Sequence, residues 1–543
     1  MAKQLCFDVE AREALKDGVL KLARAVKSTL GPRGRTAVID RGWGGPTITK
    51  DGYTVADEVD LSNPYENMGA QLLKEAASKT NDVSGDGTTT ATVLGEALYV
   101  LALRHLVSGA NVAQINRGIH EATTKVIERL KKDSKKVSLA TPDRLLQVAT
   151  IASNNDKTLG NTLVDALKRV GANGVINIEE GKGTETTVKV VEGMQFDRGY
   201  LSPHFVTDTK TLETEYKNCL VLIHEEKISS IKPLIPLLEK ASKANRPLLI
   251  IAEDVDGEAL TTLVVNKLRG VVHCVAVKAP GYGDRRKAML EDIAVLTGAK
   301  VAVFQEMGTK LEKRALTHPG GAKKISVSAD NTTIVEGKGT SSAIEARIKA
   351  IRNEISNTDS SYDREKLEER LARLAGGVAQ IQVGAATETE MKERKARIKD
   401  AQSSVRAALE EGILPGGGVA LLRASQDLDL KPWDGDVRIG AMILKEALRS
   451  PFLQIVRNAG AQPEVVASKV LKEKSKSFGW NAETATYEDL DAAGIIDPCK
   501  VTVSALTNAV SAATMLISTN CLISNVPEKS DDDQGGDHDD MDM

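Results

Sequence analysis

The spacing of apolar residues changes character twice along this chain. Up to about residue 132 it is helical: Ala11, Leu15, Leu20, Leu22, Ala25 and Val26 recur at three-to-four spacing before the breaker Leu30-Gly31-Pro32-Arg33-Gly34. Further helices are predicted over Met68–Thr80, Thr89–Val107 and Val112–Lys132, with only Ala37–Asp40 and Thr47–Thr49 reading as strands. From about Gly193 to Gly337 the short apolar runs Leu248–Ala252, Val271–Val277 and Val301–Phe304 alternate with helix-like Gly257–Lys267 and Arg286–Leu296, the pattern of an α/β layer. Ser341–Leu374 predicts two charged helices broken near Thr358–Tyr362 and ended by Gly376-Gly377, and after Gly412 the pattern is helical again. A helical block, an α/β block and a second helical block predict one domain inserted into another. The chain has 543 residues, several domains' worth at roughly 100 to 200 residues each.

Composition narrows the function classes. Aromatic residues make up 3% of the chain, too few for base-stacking platforms, and Lys+Arg 72 against Asp+Glu 75 leaves no basic excess for phosphate backbones, so nucleic acid is not expected as a partner. Residues 528–543 alone carry a net charge of −7, which leaves +4 on the rest of the chain, and they read as a disordered acidic tail. The five cysteines are scattered without CxxC spacing, against a disulfide framework or a zinc site and in keeping with a reducing cytoplasm. The start, MAKQLCFDVEAREALKDG, lacks a signal-peptide pattern, and no run approaches the 18 or so apolar residues of a membrane span, so a cytoplasmic protein without a membrane is expected.

The sharpest motif is Gly85-Asp86-Gly87-Thr88-Thr89-Thr90, leading straight into the apolar helix at Ala91. Glycines admit an anion close to the backbone, the N–H groups at a helix start favour phosphate, and Asp86 is placed to hold Mg2+ beside it. A simple helix cap is the competing reading. Leu30–Gly34 and Gly416-Gly417-Gly418 are further places for a ligand to meet backbone, each equally readable as a turn, and Lys50-Asp51-Gly52 alone reads as a turn. Asp400, in the basic helix Lys392–Ala408, reads as a solvated charge. No GxxxxGK[ST] phosphate loop and no HExxH zinc motif is present.

Together these strings resemble the group I chaperonins, the GroEL type, from about residue 5 to residue 526. The resemblance is carried by Thr29-Leu30-Gly31-Pro32, Pro46–Gly52, Glu66-Asn67-Met68-Gly69-Ala70, Gly85–Thr90, Val191–Tyr200, Lys278-Ala279-Pro280-Gly281 and Gly416–Gly418, in order. It implies a multidomain α and α/β fold: a mainly helical equatorial ATP-binding domain from 1–132 and 411–525, a small α/β intermediate domain from 133–190 and 378–410, and an α/β apical domain from 191–377, with 526–543 as the tail. It implies hinges near Gly193, Gly376-Gly377 and Gly412.

The same resemblance implies an ATP hydrolase coupled to protein folding, with ATP, Mg2+ and K+ as cofactors. Its implied partners are non-native polypeptides, a GroES-type cochaperonin lid and further copies of itself in a seven-membered ring, single or double. By residue it places Thr29, Leu30, Gly31, Pro32, Lys50, Asp86, Gly87, Thr88, Thr89, Thr90, Gly417, Asn481, Ala482, Glu483 and Asp497 around the nucleotide. Asp86 becomes the Mg2+ ligand, and Asp51 and Asp400 the carboxylates that position and activate water, Asp400 arriving as the intermediate domain swings down. Tyr200, His204, Phe205, Ile235, Leu238, Leu260, Val264 and Val265 match the substrate and lid groove, although periodicity alone reads them as core.

The chain departs from the family pattern in places. His204 replaces an aromatic residue and Glu483 a small one. Leu453 and Gln462 stand where an Arg and a Glu pair between rings, Val503 where an Arg would meet Glu411, and Ala329 where a Lys would approach Asp82. The acidic tail replaces Gly-Gly-Met repeats. These departures raise a second reading, a divergent holdase or scaffold paralogue with weak or uncoupled ATP cycling.

Overall fold

The computed structural model describes residues 2–40, 46–171, 175–181, 183–209, 211–299, 319–358 and 360–525. The predicted strand Val301–Phe304 and the acidic tail lie outside them. The chain divides into two compact units, one formed by Met1–Asn161 with Ala396–Met543 and the other by Thr162–Lys395.

In the first unit the predicted helices form because their apolar residues fall on one face. Asp8–Lys27 buries Ala11, Leu15, Val19, Leu22, Ala23 and Val26, a run at helical spacing. Pro64–Ser84 carries explicit end signals: Asn63 accepts the N–H groups of Tyr65 and Glu66, Pro64 opens the first turn, and Gly85 closes the helix at φ 64°. Residues from both ends of the sequence share one core, Leu15, Leu22, Leu94, Leu98, Ile115 and Ile119 packing with Leu444, Leu506, Val510 and Leu516. The termini close it: Lys3–Phe7 pairs antiparallel with Cys521–Asn525, Lys3 opposite Asn525. Thr88–Val107 and Cys499–Ser518 are each long and apolar enough to cross a membrane by length and composition. Both contribute to this core, and burial there accounts for their apolarity.

The second unit is built on a six-stranded sheet. Gly193–Phe196, Thr332–Gly337, Gly320–Val327 and Thr214–Ile223 are antiparallel neighbours. From Thr214–Ile223 the sheet turns parallel through Leu248–Ala252 to Cys274–Lys278, with the helices Ile235–Lys243 and Gly257–Leu268 as crossovers. Leu248–Ala252 is buried at every residue, as a parallel strand covered on both faces requires. The strand expected over Val271–Val277 begins only at Cys274, because Val271 lies at the surface. A smaller sheet sets Val378–Val383 between the parallel strand Val175–Glu180 and the antiparallel strand Thr187–Val191. The charged segment forms two helices as predicted, Ser341–Asn357 and Ser361–Ala375. They deliver Arg347 and Arg370 to the fully buried Asp292 of helix Gly283–Thr297.

Candidate nucleotide site

The candidate site lies in the first unit around the start of helix Thr88–Val107. Its N-cap, Gly87, sits at φ 84° and offers no side-chain cap, so the first-turn N–H groups face outward without the partner that a Ser or Asp cap would supply. The Asp and Thr side chains of the motif therefore do not cap this helix, and its free first turn is of the kind that suits an anion. Asp86 does not cap the helix. Its Oδ1 accepts the Gly87 N–H at 2.6 Å and its Oδ2 accepts the Ser404 hydroxyl at 2.6 Å.

Two close approaches draw other segments in. A Cβ on Gly52 would stand 2.0 Å from Thr89 Oγ1, so the Lys50-Asp51-Gly52 turn lies directly on the threonine run. A Cβ on Gly85 would stand 2.3 Å from Ser403, and Gly85 also has a left-handed φ of 64°, so only glycine lets helix Glu388–Glu411 lie against this loop. Neither Ser403 nor Ser404 carries a motif that would have identified it in the sequence.

Asp51 caps helix Gly52–Asp57, accepting the N–H groups of Tyr53 at 3.1 Å and Thr54 at 2.9 Å and the Thr54 hydroxyl at 2.6 Å. Asp400, read from its neighbours as a solvated charge, is half-buried: desolvation first, then Asp51 and Asp86, raise its carboxyl well above the usual carboxylate range. Asp86 is raised chiefly by burial, and Asp497 is pushed up to about 7 by burial and by Asp86. Asp497 is held opposite Leu414 in the pairing of Ile413–Pro415 with Ile496–Pro498, and its Oδ1 lies 3.0 Å from where a Gly416 Cβ would sit.

Like charges collected at half-buried positions repel one another, and a divalent cation among them offsets that repulsion. Among the described residues no three acidic, His or Cys side chains are grouped as a complete ligand set. This donor set fits Mg2+, which takes one or two carboxylates and completes its shell with phosphate oxygens and water.

Contacts also join several of the other predicted residues to one another. Thr29 is buried and its hydroxyl bonds the Val26 carbonyl, while Asn458 holds the carbonyls of Lys27 and Leu30 at 2.8 and 2.9 Å, fixing the Thr29–Pro32 loop. Lys50 Nζ donates to the Pro32 carbonyl at 3.1 Å and to Asn154 Oδ1 at 3.2 Å. Arg33 donates to the Glu483 carbonyl at 2.8 Å, joining that loop to the turn after strand Phe478–Asn481. In that turn Asn481 Oδ1 accepts the Glu483 N–H at 2.9 Å, and Ala482 is buried. Gly417 and Gly418 open helix Val419–Asp427 with φ 62° and 77°.

The chain matches the model of the TCP-1/cpn60 chaperonin family over residues 22–527. It belongs to that family. The chaperonin GroEL 1 of Rhodopirellula baltica is 55% identical over 545 residues, covering 100% of this chain and 95% of that one. Among solved structures, chaperonin gp146 from the bacteriophage EL 2 (Pseudomonas aeruginosa), crystallised in the presence of ATP-BeFx, has the same fold. Its two crystal forms give TM-scores of 0.69 and 0.62 at 24% identity, covering 96% of this chain and 99% of that one. The protein is therefore an ATP-dependent chaperonin, an ATPase that acts on other proteins and assembles as a ring.

The eight groove positions of this chaperonin fall in the second unit. Ile235 and Val265 are 43% and 37% exposed on helices Ile235–Lys243 and Gly257–Leu268, while Tyr200, Leu238, Leu260 and Val264 are half-buried against the core. His204 is exposed. Phe205 corrects the expectation of an exposed groove residue: it is fully buried, because the short helix Pro203–Phe205 turns it into the sheet core. Leu268 and Val271, which sequence reasoning passed over, are exposed at the far end of the second helix. Beside the altered positions, Glu411 pairs with Lys131 at 3.2 Å, and Leu453 packs against the cluster around Phe452 and Val456.

Proposed function

We propose that this chaperonin binds MgATP at the start of helix Thr88–Val107, with Asp86 as the Mg2+ ligand and K+ as a further cation, and that Asp51 and Asp400 prepare the attacking water. The observation that carries this reading is the convergence of an uncapped helix start with Asp86, Asp51 and Asp400. Mg2+ supplies charge neutralisation at the phosphates when bound. Thr88–Thr90 and the backbone cradle the phosphates, and Lys50 adds a positive charge at the rim. Removing Mg2+ with a chelator is expected to abolish turnover, and full activity in its absence would overturn the assignment.

The further reading is a three-domain machine of equatorial 1–132 and 411–525, intermediate 133–190 and 378–410, and apical 191–377, working in the cytoplasm as a seven-membered ring closed by a GroES-type lid. Support for head-to-tail assembly of copies comes from two small sheets, each two-stranded among the described residues, that expose apolar side chains. Val38 and Ile48 lie on one, and Leu5, Phe7 and Ile523 on the other. Ile235, Val264 and Val265 form an apolar surface that takes unfolded chains without reading their sequence. Val264→Ser is expected to weaken capture of a denatured client several-fold, by light scattering, while ATP turnover without client is kept; full suppression of aggregation by the variant would argue against the groove.

A further inference from the structure

The turn that follows helix Pro142–Ala152 carries two consecutive asparagines with left-handed backbone, Asn154 at φ 59° and Asn155 at φ 64°. Asparagine is the non-glycine residue that best tolerates this region, but two in succession are uncommon and persist where their surroundings fix them. Here the surroundings do so. Asn154 and Asn155 donate backbone N–H groups to Ile151 and Thr150 at 3.0 and 2.8 Å, and the buried Ser153 hydroxyl spans the carbonyls of Ala149 and Asp156 at 2.7 and 3.0 Å.

Both side chains reach residues assigned above to the nucleotide. Asn154 presents its carbonyl oxygen to the Lys50 ammonium at 3.2 Å, and Asn155 presents its amide nitrogen to the Glu483 carboxylate at 3.0 Å. Each amide turns toward its partner the atom that the partner's charge demands. Lys50 is also tied to Pro32 and the Glu483 carbonyl to Arg33, so one turn links three separate segments of the rim.

We propose that Asn154 and Asn155 are positioning residues for the ATPase, a strap across the rim of the nucleotide site. One amide aims Lys50, the other holds the Asn481–Glu483 edge, and together they set how long nucleotide stays bound. Glu483, which departs from the family's small residue, gives the strap its anchor. The inference rests on the nucleotide-site reading given above.

Asn155→Gly removes the amide while keeping the left-handed turn, and Glu483→Ala removes its partner. In the full-length assembled protein each is expected to raise KM for ATP about five- to tenfold, well beyond any change in kcat, and to speed release of a fluorescent ATP analogue to the same degree. The double variant should be no worse than either single one, because both remove the same bond. Glu483→Gln, which keeps an acceptor, should recover most of the affinity. Unchanged KM and release in both single variants, or effects that multiply in the double variant, would overturn the strap. An Asp86→Ala control separates the two levels: if that variant also binds and turns over ATP normally, it is the nucleotide site itself that is misplaced.

Discussion

Replacing Asp400 by alanine is expected to lower ATP turnover by about a hundredfold or more, the range for loss of a group that takes a proton from water, while nucleotide still binds. The expectation follows from where helix Glu388–Glu411 lies. Ser403 meets Gly85, Ser404 holds Asp86, and Asp400 is near enough to Asp51 and Asp86 for their charges to act on its carboxyl. The hydrogen bonds described for the Gly85–Thr90 turn run through Asn81, Gly87 and Ser404, so loss of Asp400 leaves the turn standing. Recovery of a denatured client enzyme should fall with turnover. Asp51 needs a different substitution, because alanine there also removes the cap of helix Gly52–Asp57, worth about 1 kcal/mol. Asp51→Asn keeps the cap and tests the chemistry alone. Phosphate release measured beside nucleotide binding decides the matter: normal turnover in Asp400→Ala would sink the assignment, and lost binding would recast Asp400 as a structural residue.

A second large effect is expected at Asp292, far from this chemistry in sequence and role. Its carboxylate is fully buried, accepting from Arg347 Nε at 2.7 Å and from both Nε and Nη2 of Arg370, the latter at 3.0 Å. Both guanidiniums have second acidic partners, Glu291 at 2.7 Å and Glu354 at 3.5 Å. Removing the central anion leaves two cations facing each other without their common partner. Asp292→Ala is therefore expected to destabilise the 162–395 unit by about 3–5 kcal/mol. Asp292→Asn, which keeps hydrogen-bond acceptors but not the charge, should fall between. Hydrogen exchange in the buried strand Leu248–Ala252 reads this unit directly within the whole chain, and exchange as slow as in the parent protein would show the triad to be dispensable.

These two predictions draw unequally on the sequence. The proposed nucleotide site is legible in outline because its parts are local: Gly85–Thr90 runs straight into a helix, and Lys50-Asp51-Gly52 is a turn that leads into another. The resemblance supplied which of these strings belong together. The triad at Asp292 was legible only as two charged helices, since nothing near Arg347 or Arg370 in the sequence names the carboxylate they share.

The same division runs through the fold. Elements such as Asp8–Lys27, Pro64–Ser84 and Leu248–Ala252 followed from spacing, caps and breakers, which act over a few residues and need no partner. What the sequence alone determined about this protein is therefore its local elements, its motifs and, through their order, its family. Tertiary structure decided the rest. The two helical blocks share a core because Leu15 and Leu22 bury apolar surface against residues nearly five hundred positions away. Phe205 turns inward, Asp400 is half-buried near other carboxylates, and Asn154 and Asn155 hold left-handed conformations beside Lys50 and Glu483. Each of these depends on which distant surface a residue is pressed against, and that is set by packing of the whole unit, where burial and charge outweigh the preferences of neighbouring residues.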